Sequence, residues 1–202
     1  MFVNTPVIPL LFIAAAYLLG SLASAIIVCR LLGLPDPRQQ GSGNPGATNV
    51  LRIGGKKAAV ITLLGDLLKG LIPVALAHWL GLPPWAIAAT ACAAFLGHLF
   101  PVFFAFQGGK GVATAFGAAL GLSPWAALVA LLSWLAMAAL FRYSSLAALT
   151  AAVLMPLYLW LLGAPYPFLI AMAVMAVLLI WRHKANIQRL LAGTESRIGG
   201  KR

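Results

Sequence analysis

Seven long apolar runs separated by short polar breaks constrain this chain more than any other feature. They run from Val7 to Cys29, Ala58 to Leu80, Trp85 to Phe106, Val112 to Leu122, Trp125 to Phe141, Ser145 to Leu162 and Tyr166 to Trp181. A helix of about 17–25 apolar residues crosses a hydrocarbon core of ~30 Å. Only 8% of the residues are charged and 62% are hydrophobic, whereas soluble domains carry about a quarter charged residues. The mean hydropathy is +0.99. A chain of 202 residues cannot hide that much apolar surface in one water-soluble core, so lipid must cover part of it. The expectation is an all-α, polytopic membrane protein, with residues 1–202 as a single domain. The first run lacks a basic leading segment and is too long for a cleavable signal, so it reads as a retained span. Cys29 and Cys92 lie inside apolar runs and read as small hydrophobes.

Val112 to Phe141 can be one long helix or two spans broken at Ser123-Pro124. An eleven-residue helix is only about 16 Å long, roughly half a hydrocarbon core. Charge decides the parity, because short cytoplasmic loops collect Lys and Arg. With seven transmembrane helices and the N-terminus outside, thirteen of the fourteen basic residues fall on the inner side. These are Arg30, Arg38, Arg52, Lys56 and Lys57, then Lys110, then Arg142, and finally Arg182, Lys184, Arg189, Arg197, Lys201 and Arg202. The fourteenth, Lys69, is inside a span. Six spans would place Arg142 and the basic tail outside. The reading is therefore seven spans, the fourth short, with cytoplasmic loops 34–57 and 107–111 and a cytoplasmic C-terminal tail, 182–202. All glycine-rich and basic segments then share one side.

The net charge of +11 suits anionic lipid headgroups or anionic small substrates. Nucleic acid is excluded as a partner, since no soluble region is large enough to bind it. The first polar segment reads Gly41-Ser42-Gly43-Asn44-Pro45-Gly46-Ala47-Thr48-Asn49, with Arg52 three residues on. Glycines let the backbone approach a ligand and leave N–H groups for oxyanions. Ser42, Asn44, Thr48 and Asn49 add neutral donors, and Arg52 adds a planar fork suited to phosphate. A merely flexible interspan loop is the competing reading.

Gly108-Gly109-Lys110-Gly111 leads into the helix expected from Val112, whose N-terminus offers unpaired N–H groups to the same anion that Lys110 can reach. No Ser or Thr follows the Gly-Lys pair, so this is not a nucleotide-hydrolysing P-loop. A tight turn with a cytoplasmic lysine is the alternative. In the tail, Arg182-His183-Lys184-Ala185-Asn186-Ile187-Gln188-Arg189 would set His183 and Asn186 on one helix face. The lysines and arginines alone also fit a stop-transfer cluster on anionic lipid, which leaves His183 and Asn186 unexplained. Asp66 and Lys69, at i and i+3 inside the second span, read as an internal ion pair ahead of a catalytic pair. His98 reads as bonding a neighbouring helix, and His78 lies near the outer edge. No zinc cluster is evident. Three acidic residues in all make a magnesium site hard to build, so no metal and no cofactor is expected.

The GSGNPGATN segment, Gly97-His98-Leu99-Phe100-Pro101-Val102-Phe103 leading to GGKGVAT, and Arg182-His183-Lys184-Ala185-Asn186-Ile187 together resemble the bacterial acyl-phosphate:glycerol-3-phosphate acyltransferases. The resemblance covers nearly the whole chain, in order. It implies transfer of a fatty acyl group from acyl phosphate to glycerol 3-phosphate, giving lysophosphatidate for phospholipid synthesis. It also implies a seven-span fold in the bacterial inner membrane, with the motifs facing the cytoplasm. The substrates and membrane lipid would be its partners, and it admits the soluble enzyme that makes acyl phosphate as another. Carried over by position, Ser42, Lys110 and His183 would be catalytic. Gly41, Gly43, Asn44, Thr48, Asn49, Arg52, Gly108, Gly109, Gly111 and Asn186 would hold phosphate. Ala185 departs from relatives that often carry an acid there. The His-x4-Asp pair of the other large glycerolipid acyltransferase family is absent, since Pro83, Phe103 and Gln188 stand where the acid would follow His78, His98 and His183. Two rival readings are a transporter of an organic phosphate, which shares a basic pocket and a broken helix, and a lipid-binding scaffold without turnover.

Overall fold

Proline, serine and glycine mark where the apolar runs become helices. The computed structural model describes residues 7–199; Lys201 and Arg202 of the basic tail lie outside the described residues. The described chain is helical and forms two compact units, one reaching to Leu122 and the other starting at Ser123.

In the first unit the opening run is not one helix. It divides into α1 (Val7–Gly20) and α2 (Ser24–Leu31), bent by 43°. Ser21 Oγ donates back to the Tyr17 carbonyl at 2.8 Å, a local bond that competes with the helix ladder. The Leu22 carbonyl, left over at the break, receives the Lys69 ammonium at 2.8 Å. α3 (Ala47–Trp79) starts eleven residues earlier than its apolar run, so 47–57 is helix and only the first half of the segment 34–57 is loop. Its ladder is interrupted at Gly55, whose φ of 75° and ψ of −174° are open to glycine alone. α4 (Pro84–Leu99) begins with proline, whose missing N–H has no partner to lose in a first turn. It closes where Tyr17 Oη donates to the Phe100 carbonyl at 2.9 Å. A 3₁₀ turn (Val102–Phe104) and the loop 107–111 precede α5 (Val112–Leu122).

These helices meet on small residues. The place of a side chain at Gly70 is occupied by the Thr114 carbonyl and at Gly117 by the Leu67 carbonyl, which brings α3 and α5 into backbone contact. Gly20 and Gly97 do the same for α1 and α4, against Ala94 and Tyr17. Lipid gives apolar helices no hydrophobic reason to associate, so close packing of small residues holds them.

The second unit holds α6 (Pro124–Phe141), α7 (Ser144–Leu161), α8 (Tyr166–Arg182) and α9 (Lys184–Leu191). Ser123 caps α6 by accepting from the Ala126 amide at 3.3 Å. Ser133 and Tyr158 hydroxyls, 2.6 Å apart, link α6 to α7. α8 and α9 are bent by 61° at His183.

Large apolar side chains such as Leu11, Leu132, Ile170 and Val177 stay exposed along these helices, a surface that only lipid can cover. This is an integral membrane protein. Among the described residues, four helices are long and apolar enough to cross a membrane, or six if each bent pair is one span. These are fewer than the seven spans expected from the sequence; the short fourth of that expectation, Val112–Leu122, is an apolar helix of eleven residues.

Candidate active site

The first glycine-rich segment is a built loop. Asn49 is 1% exposed, and its side-chain amide is spent on the loop itself. Oδ1 accepts the Ser42 amide proton at 2.9 Å, while Nδ2 donates to the carbonyls of Pro37 at 2.8 Å and Gln40 at 2.9 Å. Both Nδ2 protons are thereby spent within the loop, so Asn49 shapes its path, where the sequence suggests a donor to phosphate. Asn44 folds its amide over Gly46, the residue before α3, with Nδ2 2.8 Å from where a Cβ would stand. Ser42 and Thr48 are exposed, as is Arg52 in the second turn of α3. This gives hydroxyls, backbone N–H groups and a guanidinium around one helix start.

The second segment is held from below. Gly108 and Gly109 are buried, and Lys110 is half-buried between Gly109 and Gly111. Gly111 takes a φ of 85°, and the Phe95 ring occupies the space of any side chain there. Its carbonyl accepts from Ala115, closing the first turn of α5 at 2.7 Å. The two glycine segments touch. The Pro45 carbonyl oxygen lies 3.0 Å from where a Cβ of Gly109 would be. One compact unit thus joins Arg52, Lys110 and the starts of α3 and α5, all attractive to anions.

The third segment belongs to the other unit. His183 and Asn186 are both buried, at 3% and 7% exposed. His183 Nδ1 faces the Leu179 carbonyl at 2.8 Å. A carbonyl only accepts, so Nδ1 carries the proton, and in the neutral ring Nε2 holds a lone pair. Asn186 Nδ2 donates to Glu195 at 2.7 Å. The same carboxylate accepts from Ser145 at 2.8 Å and from Arg189 at 2.7 Å. Burial pushes the Glu195 carboxyl up, but these three donors outweigh it and hold it below the usual range. Arg38 likewise grips Asp36 through a forked contact, and that bond lowers the Asp36 carboxyl.

The glycerol-3-phosphate acyltransferase family model matches residues 10–193 of this chain. The chain belongs to the glycerol-3-phosphate acyltransferase family. It is 63% identical to the glycerol-3-phosphate acyltransferase of Thioalkalivibrio sulfidiphilus, over 94% of this chain and 93% of that one. It is 59% identical to that of Methylococcus capsulatus, over 95% and 97%. Among solved structures, it is similar to PlsY (YgiH), an integral membrane glycerol 3-phosphate acyltransferase, in its glycerol 3-phosphate form. That match has a TM-score of 0.90 and 45% identity, and it covers 95% of this chain and 96% of the other. The lysophosphatidic acid form of PlsY matches with a TM-score of 0.87, 44% identity and 94% coverage of each chain.

For this glycerol-3-phosphate acyltransferase family member, sequence reasoning overlooked Ser145 and Glu195. A signal for Glu195 was present. The chain has three acids, and each sits on a base: Asp36 on Arg38, Asp66 on Lys69 and Glu195 on Arg189. In so basic a protein an isolated acid has a partner to find. Nothing in the sequence points to Ser145, which is joined to Glu195 across fifty residues.

Proposed function

We propose that this chain transfers a fatty acyl group from acyl phosphate to glycerol 3-phosphate, releasing lysophosphatidate and phosphate. The observation that carries the reading is the contact of the two glycine segments at Pro45 and Gly109, which joins two cations and two helix starts in one unit. Each substrate phosphate brings about −1.5 to −2 charge near neutral pH, and Arg52, Lys110 and the helix starts oppose it. Ser42, Asn44, Thr48 and the backbone N–H groups of Gly41, Gly43, Gly108, Gly109 and Gly111 supply further donors to phosphate oxygens.

Acyl phosphate is a mixed anhydride and is already activated, so no covalent acyl-enzyme is required. A glycerol hydroxyl oxygen attacks the acyl carbon and forms the ester bond. The bond from that carbon to the phosphate oxygen breaks, and phosphate leaves with the electron pair. The hydroxyl proton passes to the leaving phosphate, with His183 Nε2 as the weaker alternative. Lys110 and the loop N–H groups steady the charge that gathers on phosphate. Asn186, held in place through its bond to Glu195, is a further amide for phosphate in this reading.

We place the chain in the bacterial inner membrane with seven spans, the eleven-residue α5 being the short fourth. The glycine segments and the tail face the cytoplasm. The turns without Lys or Arg are flanked by exposed Trp79 and Trp85, Trp125, and Trp160 and Tyr166, as an outer aromatic belt requires. One family model covers residues of both units, which supports a single acyltransferase domain. The soluble enzyme that makes acyl phosphate is the natural supplier of the donor.

Purified protein given acyl phosphate and glycerol 3-phosphate tests the reading. Lysophosphatidate is expected; acyl-CoA should not replace the donor, and chelators should not stop turnover. Comparable turnover with acyl-CoA would overturn the proposed donor. Movement of organic phosphate across vesicles without product would favour a transporter.

A further inference from the structure

Asp66, Lys69 and His98 form a buried charged cluster that the proposed chemistry leaves unused. They are 3%, 4% and 6% exposed. Lys69 Nζ lies 2.9 Å from Asp66 Oδ1, and His98 Nδ1 lies 3.5 Å from the same oxygen. A buried carboxylate needs compensation, and the Lys69 ammonium sets one full opposite charge beside it. A third ionisable group therefore calls for another reason.

The far edge of the His98 ring provides one. Its Nε2 fills the place where a side chain at Gly109 would stand, with Cε1 3.0 Å from that position. The His98 backbone addresses the same residue, since its carbonyl accepts the Gly109 amide proton at 3.3 Å. The next residue is Lys110. Gly109 has no side chain of its own to fix the path of this loop, so the imidazole is the side-chain wall against which Gly109 rests. A carboxylate beside Nδ1 keeps the ring proton there, sets the ring plane and leaves Nε2 as an acceptor toward the loop.

We propose that Asp66 and His98 are positioning residues for the Gly108–Gly111 loop. Asp66 orients His98, His98 supports Gly109, and Lys110 is thereby held at its working position. This rests on the reading that Lys110 meets a substrate phosphate.

The test is steady-state kinetics on purified full-length protein, per folded molecule, for His98→Ala, Lys110→Ala and the double variant. His98→Ala should raise the KM of the same substrate that Lys110→Ala affects, by about tenfold, with kcat changed less than about threefold. In the Lys110→Ala background it should add less than about threefold, because both act through one group. Asp66→Asn with Lys69→Met removes the ion pair without a net change in charge and should follow His98→Ala. His98→Gln, which still reaches Gly109, should restore part of the loss. If His98→Ala does not fold, Gly109→Ala probes the same contact from the loop side and should give the same KM shift.

Effects of His98 and Lys110 that simply multiply would overturn the proposal. So would an unchanged KM in folded His98→Ala or Gly109→Ala. Impaired Lys110→Ala beside normal His98→Ala removes this inference alone. Normal Lys110→Ala removes the phosphate-site reading and this inference with it.

Discussion

Asn49 Oδ1 accepts the amide proton of Ser42 at 2.9 Å, seven residues back along the chain. With the two bonds from Nδ2, this buried amide ties three points of the first loop to the start of α3. Asn49→Asp keeps the acceptor but loses both donors and points a carboxylate at two carbonyl oxygens. Each unsatisfied buried group costs about 1–3 kcal/mol, so Asn49→Asp should melt well below wild type and Asn49→Ser should lie between. Hydrogen exchange at 40–49 should rise in step. Normal exchange there in Asn49→Asp would show that the loop does not depend on this amide.

Arg52 lies in the helix that follows the first glycine segment and Lys110 in the second segment, and the two segments meet at Pro45 and Gly109. Losing a charge-assisted bond to a substrate anion costs about 1.5–3 kcal/mol, or roughly ten- to a hundredfold. If each cation serves mainly one substrate, Arg52→Ala and Lys110→Ala should raise KM for different substrates. If the contacts strengthen only as charge moves onto the leaving phosphate, kcat should fall instead. Lys110→Arg keeps the charge but places a bulkier head between two packed glycines, so it should be impaired as well. Wild-type kinetics in both alanine variants would return the second loop to an ordinary turn.

The Glu195 clamp should be sensitive to acid. Its folded-state carboxyl is lowered, so its contribution is fully present above the ordinary carboxyl range, near 4.3, and is lost as pH falls through the lowered value. Protease digestion of the tail in lipid should show a docked segment at pH 7 that opens at the acid end. Glu195→Gln should be equally accessible at both pH values. A wild-type tail that opens first on raising the pH would contradict the clamp.

Gly70→Ala and Gly117→Ala place a methyl against the backbone carbonyls of Thr114 and Leu67. Backbone cannot swing away, so each should cost about 1–3 kcal/mol in thermal stability, as overpacking does. Gly54→Ala meets chiefly the flexible end of Leu34 and should cost much less. Losses at Gly70 and Gly117 as small as that at Gly54 would show that α3 and α5 tolerate separation.

Topology can be tested by cysteine labelling in intact cells. Positions in 34–57 and 183–199 should resist a membrane-impermeant reagent, whereas positions beside Gly81 and Gly163 should react. Labelling of the tail from outside would refute the seven-span arrangement.

Much of this was legible in residue types. Glycine beside a cation marks backbone that a ligand can approach, and the two loops picked out that way meet at Pro45 and Gly109. The break at Ser21 to Ala23 could not, because its free carbonyl is met by Lys69, 47 residues away in sequence. The early start of α3 was hidden for a different reason. Polar residues and paired glycines at 47–57 read as loop, yet Asn49 stitches them to the preceding turn and the helix continues. Asn49 itself shows the limit of reading donors from sequence, since an amide can be used up by its own loop.

The interruption of α3 at Gly55 has a kinetic consequence. Arg52 lies on the short helical piece before it, and exposed Val60, Ile61, Leu63, Leu64 and Leu68 follow just beyond. A cation thus sits at the head of a greasy slope. An acyl donor dissolved in one leaflet could arrive by lateral diffusion, tail already in oil and phosphate at the rim. Turnover would then track the donor's mole fraction in the bilayer, and diluting the membrane with inert lipid should slow the enzyme even when the amount of donor per volume is unchanged.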